Sequence, residues 1–331
     1  MENVGSDGIY LLSLGFFLLS FVIASIAVVA GIGGGVLFTP IMLAFTPIDS
    51  LIIRGTGLVV AMFSGLISTG PFMKSGLGNL KLTMYCNIGY GSGAYLGAQG
   101  AVLANGWLGE SSDGLVKTAL GVIVLLLALY FIRGGSSIEW PQVRRVDRFT
   151  AWLALPQPYY ENSTRELAEY RITRAGLGIA AMVGVGVVSG FFGLGAGWAI
   201  VPALNLIMGV PLKVAAATSG ILIGMGDSIS VWPYIFAGAV IPFFVATWLV
   251  GQVLGGIVGA QLLIIVRSSS LRVMLIGMLL FSAFALLFKG LITMGYMPTV
   301  PDRVYVGVML VVMAGVTLSI TGRLPIIGGR R

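Results

Sequence analysis

Hydrophobic positions run along this chain in long blocks, with neither the strict alternation of a strand nor the one-sided stripe of a soluble helix. Stretches free of Asp, Glu, Lys and Arg cover residues 8–48, 55–73, 82–109, 118–132, 175–212, 228–266, 273–288 and 304–322. A membrane-crossing helix needs about 20 consecutive apolar residues, and several of these stretches hold one or two. Without apolar-polar alternation a membrane β-barrel is not expected. The blocks predict helices over 9–30, 36–46, 52–70, 82–104 and 115–133, then 173–191, 197–209, 214–236, 240–266, 272–288 and 304–321. Between the two series lies the polar, basic stretch 134–172, with Pro141, Pro156 and Pro158. Its charged part, 161–174, is expected to form an amphipathic surface helix.

The two series repeat one another. Gly31-Ile32-Gly33-Gly34-Gly35 and the residues up to Pro40 return as Gly193-Leu194-Gly195-Ala196-Gly197 and the residues up to Pro202, at an offset of 162 residues. At the same offset and without a gap, Thr56 meets Thr218, Ser68 meets Ser230, Pro71 meets Pro233, and Gln99 meets Gln261. Glycine is abundant, at 49 of 331 residues, so the Pro, Thr, Ser and Gln matches carry the argument. Each glycine inside a helix costs about 1 kcal/mol relative to alanine, so each cluster is expected to unwind the apolar helix that contains it.

A broken helix either continues across the membrane as one kinked span or folds back as a hairpin. Basic residues gather in cytoplasmic loops, and they separate the alternatives. The hairpin arrangement divides the Lys and Arg residues 15 to 4 between the two sides, and the kinked span divides them 11 to 8. The hairpin is therefore expected, with three spanning helices after it in each copy. An odd number of crossings per copy makes the second copy inverted. The fold class expected is an all-α polytopic membrane protein with two inverted-topology repeats and one extra C-terminal helix. The segments are 1–133, the first repeat; 134–172, a basic cytoplasmic linker; 173–289, the second repeat; and 290–331, the extra helix and tail. The N-terminus is expected outside and the C-terminus in the cytoplasm. Glu2 and Asp7 precede the first apolar block with no basic residue, so no signal peptide is read there.

Composition narrows the chemistry. Hydrophobic residues make up 57% of the chain and charged residues 9%, against about 25% charged in a soluble domain. The absence of histidine removes the commonest metal ligand and general base; no metal and no cofactor are expected. The single cysteine, Cys86, permits no intrachain disulfide. The net charge of +7 is assigned to cytoplasmic loops, with no nucleic-acid partner.

The expected chemistry lies at the two breaks. Unwound backbone has unpaired N–H and C=O groups that lipid cannot satisfy, so it must face protein or a water-filled cavity. The half-helices after Gly35 and Gly197 would point their N-termini there, with partial positive charge and free donors suited to an anion. The candidate substrate-binding set is Gly31, Gly33, Gly34, Gly35, Thr56, Gly193, Gly195, Gly197, Thr218 and Ser219, with Pro40 and Pro202 supporting the breaks. The competing reading of glycines is close helix packing, and it is preferred for those in 89–97 and 251–259. For Gln99 and Gln261 an interhelical hydrogen bond is expected. Arg54 and Lys213 are expected to snorkel to the interface.

Asp227 is the one acid deep in an apolar stretch, and such a residue points to function by default. It is the coupling candidate; the structural alternative is a neutral carboxyl hydrogen-bonded to Ser228 or a neighbouring helix. Its repeat partner is Gly65. Gly224-Met225-Gly226-Asp227 matches the GxGD pattern of intramembrane aspartyl proteases. That chemistry needs two carboxylates sharing a proton; Asp49 and Asp113 are expected in short loops, which leaves no second acid within a helix, so no enzyme is expected.

The doubled glycine motif with its following proline, and the stretch Ala215-Ala216-Ala217-Thr218-Ser219, resemble the TauE/SafE sulfite exporter family over roughly 15–105 and 175–265. The resemblance implies an inner-membrane carrier of sulfite, sulfonates or related organic anions, with the site residues above as its signature positions. The long linker and Thr56-Gly57, where Thr-Ser is common, depart from the family pattern. The function expected is a secondary transporter of a small anion working by alternating access in the lipid bilayer, with Asp227 as the candidate for proton or cation coupling beside its structural alternative. A passive anion channel and a membrane-embedded partner subunit are the alternatives, and the oligomeric state is left open.

Overall fold

The computed structural model of the chain describes residues 6–29, 33–45, 48–108, 111–134, 141, 143, 145–161, 166–265 and 268–297. The extra helix expected over 304–321 and Gly31 lie outside them. The first series folds as α1 (Ser6–Val29), α2 (Gly35–Phe45), α3 (Ser50–Lys74), α4 (Leu80–Leu108) and α5 (Ser111–Gly134). The linker contributes α6 (Arg148–Leu153), β1 (Tyr159–Glu161) and β2 (Glu166–Ala168). The second series gives α7 (Ala175–Phe192), α8 (Gly197–Pro202), α9 (Leu212–Ser230), α10 (Trp232–Phe236), α11 (Pro242–Ile265) and α12 (Ser268–Thr293). Beyond Pro202 the helix continues as a π-helical turn, Ala203–Ile207.

Local chemistry sets the helix starts. The Asp49 carboxylate accepts from Leu51 N–H (2.8 Å) and Ile52 N–H at the head of α3. Asn79 Oδ1 does the same for Leu82 N–H (3.0 Å) in α4. Both satisfy donors that have no partner within the helix, and the acid also suits the positive end of the helix dipole.

Four helices among the described residues are long and apolar enough to cross a membrane: Ser50–Lys74, Ala175–Phe192, Leu212–Phe236 and Trp248–Ile265. Leu18, Ile88, Leu96, Leu103, Leu126, Val250 and Ile265 are exposed, so the outer surface is apolar where a soluble protein would be polar.

The principal helix pairs each take one member from either copy: α1 with α11, α4 with α7, α5 with α12, and α3 with α9. Exchanging the copies at the 162-residue offset turns the first pair into the second and returns the last two to themselves. The close pairs run on glycine. A Cβ at Gly93 would lie 2.2 Å from the Val183 carbonyl, and at its repeat partner Gly255, 2.3 Å from the Phe21 carbonyl. Gly97, Gly186, Gly190, Gly251 and Gly259 make similar backbone approaches. The packing reading of the glycines in 89–97 and 251–259 holds. α3 and α9 cross at the centre, where a Cβ on Gly65 would lie 2.4 Å from Gly224 N.

The second broken helix folds back on itself. Thr173 N–H, just before α7, donates to the Met208 carbonyl (3.1 Å), and Gly178 packs against the Met208 side chain. One continuous kinked span would hold residues 173 and 208 tens of ångströms apart, at about 1.5 Å per residue.

The linker corrects one expectation. Among the described residues of 161–174 there is no helix: Glu166–Ala168 pairs antiparallel with Tyr159–Glu161, and 169–174 run on as irregular chain into α7. The Tyr159 side chain is buried, its ring 6.2 Å from that of Tyr170. This aromatic pair anchors the hairpin to the protein, where an amphipathic helix would have lain on its surface.

Candidate functional site

The two glycine breaks meet at the centre of the molecule. Gly33 and Gly195, one offset apart, both adopt the left-handed backbone conformation, with φ of 74° and 68°. Residues with a Cβ rarely adopt it, which is how each chain turns out of its first limb. After the turns, Gly34 O accepts from Phe38 N–H (3.0 Å) and Ala196 O from Ile200 N–H (2.8 Å), which begins the second limbs. A Cβ on Gly35 would lie 2.6 Å from both the Leu194 and the Gly57 carbonyls and 2.9 Å from Ala61 Cβ. The first break thus rests directly on the second, with α3 alongside. Thr39 on α2 donates its hydroxyl hydrogen to the Gly193 carbonyl (2.7 Å, buried), so an orphan carbonyl at the end of α7 is satisfied by the other copy.

Asp227 stands on α9 beside the second break and is fully buried. The Tyr90 hydroxyl, from α4, donates to Asp227 Oδ1 and exchanges a hydrogen bond with Ser189 Oγ of α7 (3.3 Å). Asp227 Oδ2 has no hydrogen-bond partner among the described residues and faces Gly195, whose Cβ would lie 3.4 Å away. The partner on a neighbouring helix is therefore Tyr90; Ser228 turns instead to the Met225 carbonyl (2.6 Å).

The candidate residues divide by place. Gly33, Gly34, Gly35, Gly193, Gly195 and Gly197 are buried and converge at the breaks. Thr56 is buried, and its hydroxyl has no partner among the described residues. Thr218 is buried too, but its hydroxyl accepts from Asn79 N–H (3.3 Å). The Asn79 side chain donates onward to the Leu155 carbonyl (2.7 Å) and the Tyr170 hydroxyl (2.9 Å) of the linker. Thr218 is thus tied to the linker through Asn79. Ser219 is buried on the same helix. Pro40 lies within α2, and Pro202 closes α8 where the π-helical turn begins.

Three expectations about polar side chains are corrected. Gln99 donates to Tyr95 Oη, one turn back in its own helix (3.1 Å), and Gln261 is exposed; among the described residues neither forms an interhelical bond. Arg54 does not snorkel outward. It is buried, donates to the Ser50 carbonyl (3.2 Å), Ser50 Oγ (2.9 Å) and the Phe191 carbonyl (3.4 Å), and lies over the Phe191 ring. Carbonyls left open at the end of α7 are the stronger attraction. Lys213 is likewise buried.

Tyr90, Ser189, Ser64 and Gln252 were not singled out from the sequence. Ser64 Oγ is buried without a partner among the described residues and lines a small cavity with Gly33, Ser68 and Phe72. Gln252, on α11, is fully buried, and neither amide atom has a partner among the described residues. Its Nε2 lies against Gly34, 1.8 Å from where a Cβ would stand. The available signal was a polar-ended side chain on the glycine-rich face of an otherwise apolar helix.

Comparison with known proteins points to a membrane transporter. The family model for sulfite exporter TauE/SafE matches residues 16–286. The chain is 26% identical over 251 residues to the "Probable membrane transporter protein YunE" of Bacillus subtilis (strain 168), covering 74% of this chain and 86% of that protein. No solved structure matches.

Proposed function

The chain belongs to the sulfite exporter TauE/SafE family, a multi-pass membrane transporter and not an enzyme, and from that premise we propose that it is a secondary transporter of a small anion, sulfite or an organosulfonate. The observation that carries the proposal is the meeting of the two glycine breaks. The first N–H groups of α2, on Gly35 and Val36, have no acceptor within the helix. Close to that helix start, the Ser64 hydroxyl lines a small buried cavity with Gly33, and the Gln252 amide lies against Gly34. Helix N-termini of this kind favour negative charge. Buried cations stand nearby: Arg54 and Lys117 line one cleft with Thr39, Ser50 and Leu194 of the second break.

The transport cycle in this proposal is alternating access. The copies are oppositely oriented in the cytoplasmic membrane, with the N-terminus outside and the C-terminus inside. Because each principal helix pair crosses between copies, a tilt of one copy changes every interface together, and the breaks remain the fixed point. Asp227 beside the second break is the coupling group. Proteoliposomes with labelled sulfite and then labelled sulfoacetate test the reading. Saturable counterflow is expected; flux that is linear in concentration and shows no counterflow would make the protein a channel.

A further inference from the structure

We propose that Gln252 selects the transported anion, and that it favours an oxyanion carrying one hydroxyl over one with none. The proposal rests on reading the first break as the anion site. Buried polar groups are nearly always hydrogen-bonded, and an amide buried with both ends unmet is costly. Gln252 is 0% exposed, and both its Nε2 and its Oε1 lack a partner among the described residues. A leucine would fill the same space without that cost, so the amide is retained for something the protein itself does not supply. Its place says what. The amide touches Gly34, at the head of α2. The Ser64 hydroxyl, also unmet, opens beside Gly33 in the adjoining cavity.

An amide offers a donor and an acceptor together. The charged oxygens of an anion take hydrogens from Nε2, from Ser64 and from the N–H groups of Gly35 and Val36. A bare oxyanion leaves Oε1 facing negative charge. An anion with one hydroxyl gives Oε1 a hydrogen and satisfies both ends. Exchanging the two ends of the amide leaves the argument unchanged. At the other break the corresponding polar end, that of Tyr90, is already engaged by Asp227 and Ser189, so of the two equivalent positions only Gln252 presents an unmet polar end among the described residues.

The test compares wild type with Gln252→Leu as full-length protein in proteoliposomes. Competition against labelled sulfite counterflow is measured with two probes: unlabelled sulfite, in a buffer acid enough for the singly protonated ion to prevail, and methanesulfonate, a monoanion without a hydroxyl. Wild type is expected to prefer hydrogen sulfite. Gln252→Leu is expected to lose about tenfold of that preference, the size of one to two hydrogen bonds, and a purely structural role would weaken both probes alike. A preference retained in Gln252→Leu overturns the proposal, while the counterflow itself upholds the carrier. Wild type with no saturable counterflow of sulfite overturns the transport reading and this inference with it. Should Gln252→Leu fail to insert, Gln252→Asn carries the test: a reduced preference supports the proposal, and an unchanged one overturns it.

Discussion

Tyr90 and Gln252 stand 162 residues apart, in the same place in the two copies, and each turns its polar end to the glycine break of the opposite copy. Tyr90 lies on α4, which packs on α7, and its hydroxyl reaches Ser189 and Asp227 beside Gly195. Gln252 lies on α11, which packs on α1, and its amide reaches Gly34. The copies differ in what meets that polar end. The second copy has placed an acid there; the first has Gly65 at the matching position, used for the crossing of α3 and α9. One architecture thus carries two chemistries, a carboxyl-phenol pair at one break and an open amide at the other.

The carboxyl-phenol pair separates coupling from transport. Asp227→Asn keeps the shape and removes the ionisable group, so exchange of anion for anion is expected to continue while an imposed proton gradient no longer drives accumulation. Tyr90→Phe leaves Asp227 Oδ1 and Ser189 without their bridge and is expected to lower stability by about 1–3 kcal/mol. Gradient-driven uptake and counterflow, measured on the same proteoliposomes, decide the point. Undiminished accumulation by Asp227→Asn would return the residue to a structural role.

Much of this was legible in the chain because glycine and proline act through the backbone, and backbone effects leave a sequence signal. The break at Gly193–Gly197 and the packing glycines 93 and 255 followed from position and repeat, and the hairpin followed from the division of basic residues between the two sides. The side-chain partners did not. Gln99 and Gln261 matched across the offset, yet one bonds within its own helix and the other is exposed. The register identifies equivalent positions and does not say which face of a uniformly apolar helix meets protein. Tyr90 and Gln252 differ in residue type, so a search for matching residues passes over them. The strands at Tyr159 and Glu166 were hidden because a three-residue strand carries too little alternation to read.

The contact between the breaks is tight enough to be tested by one methyl group. Gly35→Ala would press a Cβ on two backbone carbonyls, of Gly57 and Leu194, and on Ala61; none of these is the end of a flexible side chain. Overpacking of this kind typically costs about 1–3 kcal/mol. Thermal unfolding in detergent is expected to show that loss together with a fall in transport. Gly106→Ala is the matched control: nothing lies within 4 Å of its Cβ, it lies in α4, and a stability unchanged or raised by up to about 1 kcal/mol is expected. Equal effects at the two sites would argue against the contact.

Thr39 tests the tie between the copies without altering packing. Thr39→Val exchanges a hydroxyl for a methyl of similar size and leaves the Gly193 carbonyl without its buried donor. A buried acceptor so abandoned costs about 1–3 kcal/mol. The unfolding midpoint should fall, and Thr39→Ser should restore it in large part. A Val variant as stable as wild type would show that Gly193 finds another donor.

Asp147 places the linker under control of acid. It lies outside the membrane-spanning helices and caps α6 while receiving hydrogens from Thr150 Oγ1 (2.7 Å), Thr150 N (3.0 Å), Thr173 Oγ1 (3.3 Å) and Arg174 N (2.7 Å). These bonds favour the ionised form, Thr150 foremost, and hold its pKa at about 2 against an ordinary 3.8. A folded-state value below the unfolded one means that the stabilisation is complete above about pH 4 and disappears as pH falls toward 2. In that window the join between linker and α7 is expected to loosen, seen as lower amide protection, relative to the intrinsic exchange rate at each pH, at Thr150 and Arg174 while α7 beyond its first turn stays protected. Asp147→Ala should show the same lower protection at neutral pH and lose the acid dependence. Protection of these two amides that stays constant between pH 4 and 2 in wild type would mean that the carboxylate does not hold the join.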